Sequence, residues 1–264
     1  MLDPRWELAL DPAVVTAAIT RLPRPSDGAH FGLHVLDGRG SAAVIGRSLE
    51  ATVFATYYGN TPQVLAEEYG PYEDHSKFIV MIDHEHHEVV GVARFVLPSD
   101  MGLKSLNDLA HPDSPWHQDA VDAEDWLRQL SLPSHGTADL ATIAVAPGHG
   151  SHGRAPGAFA CLCSAGVRWS RVNGITHWVC IIDTIALDLI QAWGRPLNTI
   201  PGTSMKPYLG SEASAPAYVD LEGVLQRLRQ AGDPLYLVFE TGRGLPARLV
   251  SNTPPVLGPT PDRP

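Results

Sequence analysis

Cysteine is scarce in this 264-residue chain, with only Cys161, Cys163 and Cys180. That excludes a disulfide framework and a four-cysteine zinc site, and reads as three reduced, buried thiols. Basic residues are also in short supply: 19 Lys and Arg stand against 29 Asp and Glu, for a formal net charge of -10. A general nucleic-acid binder needs a cationic footprint for phosphates, and a polybasic membrane-surface protein needs one for anionic lipid. Both classes are therefore excluded. No apolar run reaches the roughly 18 residues that span a bilayer. The first ten residues, broken by Pro4, do not form a secretory signal, so the expected compartment is the cytoplasm. Internal repeats are absent.

What remains is a globular composition, 44% apolar and 18% charged, of a size for one large domain or two small ones. Four early prolines set off an N-terminal arm, residues 1–47, with one short helix at 12–21 opened by Asp11. A strand at 31–36 follows, then a helix at 48–58 that runs on loosely toward 69. The β-rich runs at 77–83 and 88–97 are joined by four polar residues and read as an antiparallel hairpin. Residues 98–136, rich in Pro, Asp and His, read as a loop insertion with helical pieces at 105–110 and 123–130. Strand 138–146, a glycine-rich turn, helix 156–172, strand 176–182 and helix 184–193 then form an α/β signature. One or two strands within 208–220, an amphipathic helix at 221–230 and a last strand at 235–240 complete an expected single domain, residues 1–250. Five prolines in the final 14 residues mark 251–264 as a flexible, unpacked tail.

The turn Gly148-His-Gly-Ser-His-Gly-Arg-Ala155 carries the chemistry. A strand that enters a glycine-rich turn and then a helix N-terminus is an anion site, because backbone N–H groups and the helix dipole face the ligand. Arg154 adds a charged donor. No Lys-Ser/Thr follows the glycines, so this is not a Walker P-loop. The spacing Gly148-x-Gly150-x-x-Gly153 matches a dinucleotide fingerprint formally. It sits mid-chain, however, and the next strand ends on no well-placed acid.

Val145-Ala-Pro147 and Gly150-Ser-His-Gly153-Arg-Ala155 resemble motif A of the GCN5-related N-acyltransferases, with Gly150 at the position of the usual Gln or Arg. Gly91-Val-Ala-Arg94-Phe-Val-Leu-Pro98 is similar to a segment of the acyl-homoserine-lactone (autoinducer) synthases, a branch of that superfamily. So is Asp139-Leu-Ala-Thr142-Ile-Ala-Val145, where Asp139 stands for Glu and Thr142 for Arg. The acidic segment Tyr72-Glu-Asp74 ahead of the 77–83 strand is similar too. The resemblance covers about residues 47–220. It implies an α/β GNAT-type fold, with a mixed, mostly antiparallel central sheet flanked by helices. It also implies an acetyl-CoA or longer acyl-CoA donor, with no metal. The donor's pyrophosphate would sit on the turn and its pantetheine arm in a splay between strands 138–146 and 176–182. The implied donor-binding residues are Ile143, Val145, Gly148, Gly150, His152, Gly153, Arg154 and Ala155.

For such chemistry Asp139 is the candidate base; a strand-end carboxylate that caps or pairs is its structural alternative. Arg94, a charge inside an apolar strand, is either a clamp on an acceptor carboxylate or an ion-pair partner of Glu88, Asp74 or Asp139. Arg47 is a weaker clamp. Tyr208 is the candidate acid, with Tyr218 behind it, and Cys180 on strand 176–182 reads as inert. Residues 140–210 hold five basic side chains against two acidic ones, Asp183 and Asp188. That face suits CoA phosphates, or an acyl carrier protein docked on Arg168 and Arg171. The acceptor is the amine of a small, amino-acid-like molecule, and a homodimer is left open. Two rival readings stand beside this one: an acyl-CoA sensor without turnover, and a metal-dependent hydrolase built on the turn Asp83-His-Glu-His-His-Glu88. The second lacks HExxH spacing, and His149 and His152 read as facing donor or solvent.

Overall fold

A computed structural model describes residues 2–117, 122–150, 155, 157–191, 197–243 and 256–257. In chain order its elements are α1 (Pro4–Ala9), α2 (Pro12–Thr20), β1 (Phe31–Asp37), α3 (Val44–Tyr58), α4 (Pro62–Tyr69), β2 (Ser76–Asp83), β3 (Glu88–Val96), α5 (Lys104–Ala110) and α6 (Ala123–Gln129). There follow β4 (Thr137–Val145), α7 (Ala158–Val172), β5 (His177–Asp183), α8 (Thr184–Gln191), β6 (Asn198–Thr199), β7 (Lys206–Tyr208), β8 (Ser211–Asp220), α9 (Leu221–Ala231), α10 (Leu235–Thr241) and β9 (Val256–Leu257).

The strands form one sheet in the order β6-β8-β5-β4-β3-β2-β1-β9, with β7 paired to β8. The Val- and Ile-rich runs of β2 and β3 pair antiparallel, and the Asp83 carboxylate shapes their turn by accepting the N–H groups of Glu85 and His86. Between β3 and β4 the register shifts after Arg94↔Thr142 to Phe95↔Leu140, which bulges β4 at Ala141. The parallel pairing of β4 with β5 lasts three residues, Thr137↔His177 to Asp139↔Val179, after which the strands part. β5 then continues antiparallel to β8.

Helices cover both faces, as a sheet buried on both sides requires. One face packs on α7, α9 and α10 around Phe95, whose ring lies 5.3 Å from Trp169 and 5.2 Å from Trp178. Gly91 admits this packing: a Cβ there would fall 2.9 Å from Leu162 Cδ1. The opposite face packs on α2 and α3, and a smaller cluster joins Trp6 to Leu65 and Tyr69.

Three expectations change. Residues 235–240 are helical, because Leu235, Val238 and Phe239 fall at helical spacing and the last two are buried against the α7 face. The first 47 residues are no loose arm: Trp6 is fully buried, stacked on Tyr69, and β1 is a sheet strand. The helix expected to trail from 58 to 69 is two, with α3 closing at Gly59 and α4 opening at Pro62 behind the Thr61 cap. Of the proline-rich tail, Val256 and Leu257 pair with β1 in parallel, and the rest lies outside the described residues. No described helix is long and apolar enough to cross a membrane.

Candidate active site

Where β4 and β5 part, a cleft of about 770 Å³ (its open mouth included) is walled by Leu140–Ala144 on one strand and Cys180–Asp183 on the other. Tyr58 of α3, Tyr69 of α4, Lys104 and Ser105 of α5, and Tyr208 of β7 complete its lining. The Ala146 N–H donates to Val90 on β3. Strand alternation therefore turns the backbone N–H groups of Val145 and Ile143 toward the other edge, where β5 no longer pairs. Ile143 also lines the cleft.

Beyond β4 the turn places Gly148 at φ +78°, a conformation that favours glycine. Both Gly148 and Gly150 face open space where a Cβ would stand. Ala155 is buried, and α7 starts behind Gly157, which has no side chain to cap its N-terminal N–H groups. His152, Gly153 and Arg154 lie outside the described residues. His149 turns to the protein, with Nδ1 3.2 Å from the Pro147 carbonyl and Nε2 3.6 Å from Glu88.

Asp139 sits at the last paired position before the splay, fully buried. Its carboxylate accepts the backbone N–H of Ser105 and, at 2.9 Å, the Ser105 hydroxyl, so it caps α5 from a distant strand. Burial raises its pKa to about 7 against the pull of those two bonds. The capping alternative is thus realised, but in the interior rather than at the surface. Ser105 stands between Asp139 and the cleft.

Arg94 is corrected from acceptor clamp to structural ion pair. Its side chain is fully buried; Nε lies 2.9 Å and one terminal nitrogen 2.6 Å from the two oxygens of Glu50, and Glu73 lies 3.3 Å away. The guanidinium lies 4.4 Å from the ring centres of Tyr69 and of Phe78. Its partners are not the expected Glu88, Asp74 or Asp139. Arg47, equally buried, holds Glu73 at 2.7 Å and is likewise no clamp. Burial pushes the Glu73 carboxyl up, yet Arg94 and Arg47 outweigh it and hold its pKa below the ordinary value.

Tyr208 reaches the cleft, and its hydroxyl donates to Asp108. Burial and Asp108 raise its pKa well above that of a free phenol, although Lys104 opposes them. Tyr218 packs instead with the α5–α6 cluster. Cys180 lines the cleft as a protonated thiol, its pKa pushed up by burial and by Asp139.

The residue that sequence reasoning missed is Lys104. Its ammonium, 3% exposed, bonds Glu68 at 2.7 Å, Asp108 at 2.6 Å and the Tyr208 hydroxyl at 3.0 Å. Burial works against its charge, but Tyr208, Asp108, Tyr69 and Glu68 prevail and hold its pKa well above the usual lysine value. The one signal in the sequence was the four-residue spacing of Lys104 and Asp108.

The two arginines considered for carrier-protein docking are partly engaged. Arg171 is neutralised by Glu222 at 2.7 Å and Glu240 at 2.5 Å, and Arg168 is partly buried against Gly242. Among the described residues no group of three or more His, Cys, Asp or Glu is placed to hold a metal ion.

The splayed parallel pair, the bulged β4 and the strand–turn–helix that follows define the fold of the GCN5-related N-acyltransferases. Solved structures agree. BjaI, a CoA-dependent acyl-homoserine lactone synthase solved with SAM and isopentyl-CoA, matches 88% of this chain and 96% of its own, at 14% identity and a TM-score of 0.51. FeeM, an N-acyl amino acid synthase from uncultured soil microbes, matches 74% of this chain and 93% of its own, at 12% identity and a TM-score of 0.52. The acyl-homoserine-lactone synthase LasI matches 74% of this chain and 91% of its own, at 15% identity and a TM-score of 0.50. No protein-family model matches the chain, and no curated protein matches its sequence.

Proposed function

We propose that this protein is an N-acyltransferase that moves an acyl group from acyl-CoA to the amine of a small molecule. The observation that carries this reading is the cleft at the β4–β5 splay, where a free strand edge, an interior carboxylate and a phenol meet. The free N–H groups of Ile143 and Val145 would hold the pantetheine arm and polarise the thioester carbonyl. The turn from Gly148 to Ala155 would receive the pyrophosphate. The amine nitrogen attacks the carbonyl carbon. As the C–N bond forms, Ser105 passes its hydroxyl proton to Asp139 and takes the amine's proton in exchange. The C–S bond then breaks, and the leaving thiolate takes a proton from Tyr208.

Leu140 borders both the cleft and a small apolar pocket among Trp178, Ile190, Val219, Leu225 and Phe239. An acyl chain long enough to pass Leu140 would gain about 0.8 kcal/mol for each methylene it buried there.

The test follows free thiol release and product mass when the protein is given acyl-CoA donors of increasing length and a panel of amines. Amide product with loss of turnover in Asp139→Asn supports the proposal. Tight CoA binding with no thiol released from any donor and amine pair would favour the sensor reading instead.

A further inference from the structure

We infer that the acceptor is a cation without a carboxylate, such as an alkyl diamine or polyamine, held by Asp183 and by the aromatic faces of the cleft. This rests on the acyltransferase reading for the identity of the cleft, and goes beyond it in naming the acceptor's chemistry.

Among the described residues lining the cleft, Lys104 and Asp183 are the only charged ones. An ammonium has three N–H bonds to give, and those of Lys104 are committed to Glu68, Asp108 and Tyr208. The cation is spent before any ligand arrives. A substrate carboxylate entering the cleft would meet no open donor there of opposite charge, and would pay its desolvation without return. Arg94 of β3 and Arg47 of α3 are likewise engaged, with Glu50 and Glu73.

Asp183 is in the opposite condition. One oxygen accepts the N–H groups of Ile185 and Ala186 at 2.9 and 3.0 Å, and the other accepts the Tyr58 hydroxyl at 3.0 Å. A carboxylate accepts about four hydrogen bonds, so among the described residues one position on the second oxygen stays open, and Asp183 lines the cleft. The backbone bonds fix the group's orientation, and Tyr58, having given its proton, can accept one from a ligand. Phe54, Tyr58, Tyr69 and Tyr208 bring four aromatic rings to the same cleft. Aromatic faces beside a fixed carboxylate attract ammonium groups and repel carboxylates.

The experiment compares 1,6-diaminohexane with 6-aminohexanoate, which share a chain and one ammonium and differ at the other end. Calorimetric titration of the full-length protein without acyl donor should show the diamine binding at least tenfold more tightly. Asp183→Asn keeps an acceptor for the helix N–H groups and should cost the diamine about tenfold. Glu68→Ala frees one N–H of Lys104 and should strengthen 6-aminohexanoate severalfold. Equal or tighter binding of 6-aminohexanoate to the unaltered protein, or an Asp183→Asn variant that binds the diamine unchanged, overturns the inference. Because no donor is present, diamine binding without later amide formation would sink the acyltransferase reading alone. Efficient acylation of amino acids but not diamines would sink the inference alone.

Discussion

Two buried cations lean on the same tyrosine ring. Arg94 lies 4.4 Å and Lys104 5.4 Å from the Tyr69 ring centre, and each is met by two carboxylates. They differ in what surrounds the carboxylates. Glu50 and Glu73 are fully buried, so the Arg94 cluster is closed on every side. Glu68 and Asp108 are 34% and 23% exposed, and Lys104 itself borders the cleft. A charge in an apolar strand is therefore no sign of a ligand clamp by itself. What separates scaffold from site is whether the neutralising groups can reach water.

Substitutions can break this comparison. Arg94→Ala should have the largest effect, because it leaves the interior Glu50 carboxylate unpaired and Glu73 with Arg47 alone; a loss of about 3–5 kcal/mol is expected in chemical denaturation. If it instead leaves stability intact and only weakens acceptor binding, the clamp reading returns. Asp139→Asn comes next, with kcat/KM expected to fall about 100-fold or more. In the unaltered protein the rate should rise as pH passes through about 7, where Asp139 loses its proton, and the variant should lack that limb. The same raised pKa favours the protonated carboxyl in the fold. Its cost to stability therefore grows as pH climbs from the ordinary carboxylate range toward 7, and Asn should flatten that decline.

Lys104→Met should be milder than Arg94→Ala, about 1–3 kcal/mol, since its carboxylates can turn to solvent. The smallest effect concerns a buried pair with no charge at all. His34 and His84 approach to 3.1 Å between Nε2 atoms, and burial, helped by His84, pushes the His34 pKa down to about 4. Stability from the neutral His34 is complete above about 6.5 and is lost as pH falls toward 4. His34→Gln should flatten that window in a pH series of thermal unfolding.

Much of the fold was legible because its signals are local. The apolar runs of β2 and β3, the Asp11 cap and the strand–glycine turn–helix order are each set within a dozen residues. The site was legible only in part. Asp139 was nominated at the head of its strand and Tyr208 by the family resemblance, which places an acid tyrosine after the second helix; Tyr208 lines the cleft and Asp139 lies behind Ser105. The true partner of Arg94 is 44 residues away on α3, and that of Asp139 is 34 residues away on α5, distances that no spacing rule bridges. Lys104 hid in a segment whose Pro, Asp and His content suggested a loop. Its neighbours Leu103, Leu106 and Leu109 in fact build a small core with Trp116 and Trp126 that presses α5 toward the splay. The helix α10 was misjudged because a run of apolar and aromatic residues fits either period until its burial is known.

The short parallel seam between β4 and β5 also has a consequence for proton exchange with solvent. Three residue pairs join the two halves of the sheet, and beyond them the amides of Ile143 and Val145 have no strand partner on that edge. Deuterium should enter there well before it enters neighbouring Thr142 and Ala144, whose amides face β3. A bound donor that spans the seam would slow exactly those two positions, so the filling of the cleft could be read amide by amide along a single strand.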